Sequence, residues 1–195
     1  MSHSEQPQIV LASASPRRRE LLCQIGVEFR VVAADIEEIP LQHEKPTDFV
    51  LRMAREKALA VMRAEGNELP VLGSDTAVIL DGRILGKPAD RRQAREMLGG
   101  LSGRTHQVFS AVVVAESAEK IHQALNISKV TFAALDPEWI ESYIDTGDPM
   151  DKAGAYGVQG KAAEKISRIE GSFYGVMGLP LYETAQLLQR AQVLF

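Results

Sequence analysis

The run Arg17–Arg19 lies in the first turn of a predicted helix, directly after a short turn rich in hydroxyl groups. The unpaired N–H groups of a helix N-terminus already carry about half a positive charge, so each added cation costs roughly 0.3–1 kcal/mol. A bound anion would offset this cost, because backbone N–H groups and arginine forks together bind phosphate oxygens. We therefore predict a phosphate site made by Ser13, Arg17 and Arg18; the alternative is a solvated basic face paired with carboxylates.

Two acidic segments could supply the chemistry that acts on a phosphate. Asp75 ends the apolar part of a predicted strand in Gly73–Thr76, where it could activate water or hold a metal ion. The alternative is a turn aspartate that caps local N–H groups. The loop with Asp35, Glu37 and Glu38 could coordinate a hard cation such as Mg²⁺, although a solvated acidic loop is the commoner explanation.

Two lysines lie in unusual surroundings. Lys57 falls on or near the apolar stripe of a predicted helix, so its ammonium group has to reach solvent or an anion. Lys87 follows a hairpin in a stretch that faintly resembles a P-loop. The spacing from Gly82 is one residue short, and Pro88 replaces the required Ser or Thr, which excludes a Walker-type NTPase.

The segment from Asp151 to Gly160 contains three glycines spaced three residues apart, which permits close approach of a ligand to the backbone. The side-chain amide of Gln159 offers both a donor and an acceptor, as required to recognise the edge of a base. The alternative, a tight surface loop that needs glycine conformations, is favoured by this segment taken alone.

The totals restrict the class of protein. The chain has 195 residues, 45% of them hydrophobic, and a formal net charge of -4, which disfavours general binding of nucleic acid. A single cysteine, Cys23, excludes an intrachain disulfide and a cysteine zinc site, and we place it in the core. The four histidines lack metal-ligand spacing and are assigned to the surface or loops. No signal pattern or membrane span is found, so we expect a cytoplasmic protein.

Strands and helices alternate in the first half of the chain, and antiparallel hairpins follow. This order predicts an α/β fold around a mixed sheet. We expect residues 1–8 to form a flexible tail and residues 9–195 a single domain. Predicted strands cover residues 9–12, 29–33, 71–80, 84–85, 107–115, 124–134 and 165–169. Predicted helices cover residues 16–25, 47–65, 91–98, 136–144 and 181–189, the first two capped by Ser15 and Thr47.

Together these segments resemble one family. The ordered motifs are LASASPRR, AREKA, GSDT, GKP, LSG-x-THQV, DKAGAYGVQG and VMGLPL, and they are similar to those of the Maf nucleoside triphosphate pyrophosphatases over nearly the whole chain. The resemblance implies an elongated mixed β-sheet flanked by helices, as in the inosine triphosphate pyrophosphatases, with two lobes around a deep groove. It also implies hydrolysis of a nucleoside triphosphate to the monophosphate and pyrophosphate. A divalent cation is expected to assist the reaction, either Mg²⁺ or, in its place, Mn²⁺ or Co²⁺.

The resemblance also assigns residues. Asp75 matches the catalytic proton acceptor, and three positions match those tied to substrate choice, namely Arg17, Thr76 and Gln159. The residue types at these three positions are similar to those of the branch that acts on dTTP and UTP. The branch that acts on 7-methyl-GTP has a bulky residue in place of Arg17, Gln in place of Thr76 and Glu near Gln159. Other polar positions also match, which predicts phosphate contacts for Ser13, Arg18, Lys57 and Lys87 and a metal contact for Glu38.

A housecleaning role on modified pyrimidine nucleotides, a homodimer and a link to division arrest are further expectations from this resemblance. Two other classes of function compete with the enzyme. The first is a non-catalytic regulator of cell division, for example a nucleotide-sensing or protein-binding factor without turnover. A nucleic-acid-binding module is disfavoured by the acidic balance and by the lack of an aromatic stacking platform. Release of pyrophosphate from dTTP or UTP would separate the enzyme from both.

Overall fold

The computed structural model of the chain describes residues 6–66 and 68–195. Within them, seven strands form one sheet: β1 (Ile9–Leu11), β2 (Phe29–Val31), β3 (Val71–Leu80), β4 (Arg83–Leu85), β5 (Thr105–Ala115), β6 (Ile121–Phe132) and β7 (Ile166–Glu170). The α-helices are α1 (Pro16–Gln24), α2 (Pro46–Glu65), α3 (Arg91–Leu101), α4 (Pro137–Asp145), α5 (Phe173–Met177) and α6 (Leu181–Arg190). Short 3₁₀ turns cover Asp148–Asp151, Ala153–Ala155 and Lys161–Lys165.

The sheet is mixed, and its order is β2-β1-β3-β5-β6-β7. Strands β1 and β2 pair in parallel, as do β1 and β3, whereas β5, β6 and β7 continue the sheet in antiparallel fashion. One edge of β3 pairs with β5 over residues 71–79. The opposite edge pairs first with β1, at residues 71 and 72, and then with β4, at residues 78–80. Residues 73–77 therefore have no neighbouring strand on that edge among the pairings of the described residues.

Alternation along the strands sorts side chains to two faces of the sheet. On one face, odd-numbered residues of β3 such as Val71 and Ile79 pack with the apolar stripe of α2. On the other face, Leu72 packs with residues of α1 and α6. A third cluster joins α3 and α4 to the far end of β3 and β5. The predicted α/β class, a mixed sheet flanked by helices, is confirmed.

Several local predictions are corrected. The α2 helix starts at Pro46 with Lys45 in the capping position, so Thr47 lies inside its first turn. The α3 helix runs on through Gly99 and Gly100, because Leu98 and Leu101 are both buried in the third cluster. The strands and remaining helices differ from their predicted bounds by three residues or fewer at each end. The α5 helix and the 3₁₀ turns were not predicted.

Two burial predictions are wrong. Cys23 is exposed, because Leu21 and Leu22 define the buried face of α1 and the next residue turns away from it. His106, predicted to lie on the surface or in a loop, is buried in β5 with its Nε2 atom 2.7 Å from the hydroxyl of Tyr156. Hydrogen bonding to the tyrosine makes burial of the imidazole tolerable.

The division into tail and domain stays a prediction. Residues 1–5 of the predicted tail lie outside the described residues, while the N–H group of Gln8 donates a hydrogen bond of 2.8 Å to the carbonyl of Glu28. None of the helices in the described part of the chain has the length and apolar character needed to cross a bilayer.

Candidate active site

The gap beside β3 opens into a cleft with a volume of about 690 Å³. Successive residues of a strand point to opposite faces, yet Asp75 and Thr76 both line the cleft, because no strand covers this edge. The cleft is also lined by the segment from Ala12 to Arg18, by the loop that carries Ala34 and Glu38, by α2, by the loop after β4, by Val108, by the segment 148–160 and by residues 176–178. The cleft thus lies between the part of the fold built on α1 and α2 and the part built on α3 and α4, in agreement with the groove that the family resemblance implies.

A buried lysine joins two carboxylates at the centre of the cleft. The Nζ atom of Lys57 lies 2.7 Å from Oδ1 of Asp75 and 2.7 Å from Oε1 of Glu38. Asp75 and Lys57 are only 5% and 7% exposed, so the pair is shielded from bulk water. Oδ2 of Asp75 accepts no hydrogen bond from any described residue, which leaves it available to a molecule in the cleft. Lysine has three donors, and one of those on Lys57 remains for a further acceptor.

The loop that carries Glu38 has no regular secondary structure and is fixed onto α2 by a two-pronged ion pair. Nε and Nη2 of Arg52 each lie 2.7 Å from an oxygen of Glu44, and Nη2 also donates to the carbonyl of Ile39. Hydrogen bonds from Arg52 lower the pKa of Glu44 to about 2. These contacts hold the chain at Ile39 and at Glu44, and with it Glu38, which adjoins Ile39.

Burial alone would raise the pKa of Glu38, but the hydrogen bond and charge of Lys57 outweigh it, and Lys87 and Arg18 add to the effect. The pKa of Glu38 therefore lies below its ordinary value, and this carboxylate is ionised at neutral pH. Glu38 and Asp75 thus offer two oxygen-bearing side chains beside a cationic surface.

Arg18 is held against the wall of the cleft by all three of its nitrogen atoms. Nε donates to the carbonyl of Gly178 (2.9 Å), Nη1 to the hydroxyl of Ser13 (3.1 Å) and Nη2 to that of Thr76 (3.4 Å). Burial lowers the pKa of Arg18, and the charges of Asp75 and Glu38 act in the opposite direction. The guanidinium group therefore lies within electrostatic reach of the catalytic candidate, as the phosphate-site hypothesis requires.

The first turn of α1 retains free donors. It contains no acidic residue, and the hydroxyl of Ser15 makes no capping hydrogen bond, although Ser15 occupies the predicted cap position. Arg17 and Lys87 also line the cleft, and neither makes an ion pair or a hydrogen bond with another described residue. Arg19 is exposed and does not line the cleft. The N–H groups of this turn and two unpaired cations together favour an anionic ligand.

The opposite end of the cleft has a different character. Asp148 lies there, and its Oδ2 accepts a hydrogen bond of 2.6 Å from the hydroxyl of Tyr143, which in turn accepts one of 3.1 Å from the N–H group of Gly157. Lys152 donates to Oδ1 of Asp148 (2.9 Å). Gln159 is exposed at the rim. No role was predicted from sequence for Asp148, Tyr143 or Lys152, and the motif from residue 151 onward was the only signal that pointed to this region.

The cleft brings together every residue to which the family resemblance assigns a role: Ser13, Arg17, Arg18, Glu38, Lys57, Asp75, Thr76, Lys87 and Gln159. Their individual roles stay predictions. Asp35 and Glu37, the other two carboxylates of the acidic loop, are exposed and do not line the cleft. The described residues contain no group of three or more His, Cys, Asp or Glu side chains arranged to hold a metal. Two carboxylates are nevertheless a set that suits Mg²⁺, which proteins hold by one or two carboxylates together with phosphate oxygens of the substrate.

Comparison with solved structures identifies the fold. A protein described as a HAM1 protein, from Coxiella burnetii, superposes with a TM-score of 0.51 at 17% identity and covers 95% of this chain and 100% of that chain. At this identity the likeness concerns the fold alone.

Comparison of sequences gives closer relatives, three of them described as dTTP/UTP pyrophosphatase. The protein from Cupriavidus pinatubonensis is 50% identical over 197 residues, covering 96% of this chain and 98% of the relative. That from Aliivibrio fischeri is 49% identical, covering 94% and 97%, and that from Escherichia coli is 48% identical, covering 95% and 94%. The sequence profile of the family described as Maf-like protein matches residues 8–191. The chain therefore belongs to the Maf family.

Proposed function

We propose that this protein hydrolyses dTTP and UTP to the nucleoside monophosphate and pyrophosphate. The observation that carries the proposal is the free Oδ2 of Asp75, which faces the same cleft as Arg17, Arg18 and Lys87. A carboxylate opposite a set of cations can act on water while the cations bind a polyphosphate. The descriptions of the relatives support the choice of dTTP and UTP.

In the proposed reaction, the triphosphate lies against the first turn of α1, with Arg17, Arg18 and Lys87 around it. Asp75 orients a water molecule and takes its proton as the water oxygen attacks the α-phosphorus. The bond from the α-phosphorus to the bridging oxygen breaks, and its electron pair leaves with pyrophosphate. Donors already in place stabilise the charge that develops on the leaving group.

Lys57 has two functions in this scheme. Its bonds to Asp75 and Glu38 hold both carboxylates in place, and its remaining N–H donor can bind a phosphate oxygen. Ser13, which receives a hydrogen bond from Arg18, would add a hydroxyl contact to the phosphates. These assignments agree with the phosphate-binding roles expected from the sequence.

Glu38 is the proposed protein ligand of a divalent cation, either Mg²⁺ or its substitutes Mn²⁺ and Co²⁺. Such a cation, when bound, would act as a Lewis acid on the phosphate oxygens. Asp75 is kept as the proton acceptor in this scheme, because a carboxylate that binds the metal cannot freely accept a proton.

Gln159, at the rim, is the residue whose side-chain amide is proposed to contact the pyrimidine base of the nucleotide. A cytoplasmic location, the homodimer, the action on modified nucleotides and the link to division arrest remain expectations.

The Asp75→Asn substitution tests the mechanism. It keeps the size of the side chain and its contact with Lys57 but removes the proton acceptor. We expect kcat for pyrophosphate release from UTP and dTTP to fall at least roughly a hundredfold, with nucleotide binding retained. The assay compares UTP, dTTP and 7-methyl-GTP, with and without Mg²⁺.

Asp81→Asn is the matched control, because Asp81 is an exposed aspartate in the hairpin after the same strand and pairs with Arg104. Near wild-type turnover by the Asp75 variant would remove Asp75 from the reaction. A wild-type protein that binds nucleotides and releases no pyrophosphate would instead favour the non-catalytic regulator.

A further inference from the structure

The two ends of the cleft differ in charge. Arg18, Lys57 and Lys87 surround the end near Asp75, and the first turn of α1 adds its N–H groups. The opposite end presents the carboxylates of Asp148 and Asp151, both paired with Lys152, and Arg17 lies close enough to lower the pKa of Asp148. Arg18 and Lys87 make no ion pair with a described residue, whereas Lys152 is paired with Asp148 and Asp151, so a triphosphate is attracted more strongly to the first end than to the second. The base of a bound nucleotide therefore lies at the Asp148 end.

The walls near Asp148 suit a flat, partly apolar ring. Val78, Val108 and Tyr156 line the cleft between its two ends. The loop backbone approaches closely: a Cβ atom on Gly157 would lie 2.9 Å from Cε of Lys152, and one on Gly160 would lie 3.1 Å from Oδ2 of Asp148. The carboxylate is thus in contact with the loop that carries Gln159.

Asp148 keeps acceptor capacity after its contacts within the protein. Its Oδ1 accepts from Lys152 and its Oδ2 from Tyr143, whereas two ionised carboxylate oxygens can accept about four hydrogen bonds. The side chain is 35% exposed, which leaves it accessible from the cleft. Burial would raise the pKa of Asp148, but the bonds from Lys152 and Tyr143 and the charge of Arg17 outweigh it, and the pKa lies below its ordinary value.

We propose that Asp148 is a specificity-determining residue whose carboxylate accepts the imide N3–H of a uracil or thymine base. The inference rests on the proposed function and specifies how the same cleft distinguishes its substrates. Uracil and thymine carry a proton on N3, whereas N3 of cytosine carries a lone pair. A carboxylate attracts the first arrangement and repels the second, so it selects UTP and dTTP against CTP and dCTP.

Binding provides the first test and is independent of turnover. The Asp75→Asn variant is titrated by calorimetry with UTP, CTP and 3-methyluridine 5′-triphosphate, which lacks the N3 proton. We expect CTP and the methylated nucleotide each to bind about tenfold or more weakly than UTP, as for a lost hydrogen bond to a charged group. Equal affinities for UTP and the methylated nucleotide would overturn the proposal.

Substitution of Asp148 provides the second test. For Asp148→Asn we expect the ratio of kcat/KM for UTP over CTP to fall at least roughly tenfold relative to wild type, with a smaller penalty for 3-methylation. Asp145→Asn is the matched control, because Asp145 lies three residues away, exposed and paired with Arg91 outside the cleft. An unchanged ratio in folded Asp148→Asn protein would overturn the proposal.

A third variant separates recognition from loop anchoring. Tyr143→Phe removes the hydroxyl that bridges Asp148 and Gly157 but keeps the carboxylate. The proposal predicts that this variant keeps its preference for UTP over CTP, whatever happens to its kcat. Loss of the preference equal to that of Asp148→Asn would show that Asp148 acts by anchoring the loop, and would overturn direct recognition.

The outcomes distinguish this inference from the proposed function. A wild-type protein that hydrolyses UTP and 3-methyluridine triphosphate equally well supports the function and overturns the role of Asp148. A protein that releases no pyrophosphate from UTP or dTTP but binds UTP in preference to CTP and to the methylated nucleotide overturns the function and supports the role of Asp148.

Discussion

Thr76 makes its contacts with the protein wall of the cleft. Its hydroxyl accepts from Nη2 of Arg18 (3.4 Å) and lies 3.1 Å from Oγ of Ser110 and 3.3 Å from the carbonyl of Gly178. Family resemblance ties this position to substrate choice, for which a direct contact with the base of the nucleotide is the simplest explanation. The contacts favour a different route, in which Thr76 positions Arg18 and affects all triphosphates alike.

Thr76→Val separates these two roles, because valine keeps the shape of the side chain and removes its hydroxyl. If Thr76 positions Arg18, we expect kcat/KM to fall by about tenfold for UTP, with the ratio of UTP to CTP changed by less than about twofold. Steady-state kinetics with both nucleotides measure this. Thr105→Val is the control, because Thr105 is exposed on β5 and bonds to Thr131. A large change in the ratio would restore direct contact with the base.

The types of the site residues were predictable from sequence, and their partners were not. A lysine on an apolar stripe indicates that Lys57 needs an anion, but the sequence does not tell that Asp75 and Glu38 share it, because a helix, a strand and a loop meet only in the folded chain. Asp148 was missed for a similar reason. A carboxylate next to a proline in a turn-forming segment is typical of local capping, and nothing local reveals Tyr143 as its partner.

The gap on the edge of β3 creates the site. The sequence predicted a strand that ends near Thr76 and an extended continuation over residues 77–80, which form one strand in the structure, but it did not predict where the neighbouring strands stop. Strand β1 pairs only to Leu72, and β4 begins its pairing at Val78. Register between distant strands is set by packing, which a single sequence does not show. Conversely, α5 and the 3₁₀ turns have five residues or fewer and carry too little periodicity to be recognised.

Gly73 sets the distance between β3 and α2, and hence between Asp75 and Lys57. A Cβ atom on Gly73 would overlap the carbonyl oxygen of Ala54 and lie 2.9 Å from the backbone nitrogen of Ala58. Helix backbone atoms cannot move aside as a side chain can. We therefore expect Gly73→Ala to destabilise the protein by at least about 2 kcal/mol in urea unfolding, and to lower activity by displacing Asp75.

Gly99→Ala is the matched control for this substitution. Gly99 lies inside α3, and a Cβ atom there would meet no other atom within 4 Å. Alanine is the better helix former, so this variant should be more stable than wild type by about 0.5–1 kcal/mol, with unchanged activity. A Gly73 variant as stable as wild type would contradict the close contact between β3 and α2.

At the level of the whole molecule, charge is distributed unevenly. The chain has a formal net charge of -4, yet Arg17, Arg18, Lys57 and Lys87 all line one cleft. Glu38, Asp75, Asp148 and Asp151 line the same cleft, so its attraction for a polyanion comes from the cations that make no ion pair with a described residue, namely Arg17, Arg18 and Lys87. The total charge argues against a general affinity for phosphate backbones, which stays a prediction, and only the local clusters indicated a phosphate site.

His106 links the stability of the whole protein to pH. It is 2% exposed, its Nδ1 atom has no hydrogen-bond partner among the described residues, and its ring stacks on Phe132. Burial lowers the pKa of His106 from 6.5 to about 4, because the charged imidazolium loses its hydration. Between these two values the unfolded chain binds a proton that the folded protein does not. Stability is therefore lost as the pH falls from about 6.5 to about 4.

The His106→Phe variant measures this contribution. Phenylalanine fills a similar space and does not titrate. The variant therefore lacks the pH-dependent contribution of His106 to the free energy of unfolding, whatever its stability at neutral pH. From pH 7 to pH 5 we expect the free energy of unfolding of the wild type to fall by about 2 kcal/mol more than that of the variant. Urea titrations at both values give the difference, and a further pair at pH 8 should show no extra change between the two proteins. Equal losses at pH 5 would mean that His106 takes up its proton in the folded state.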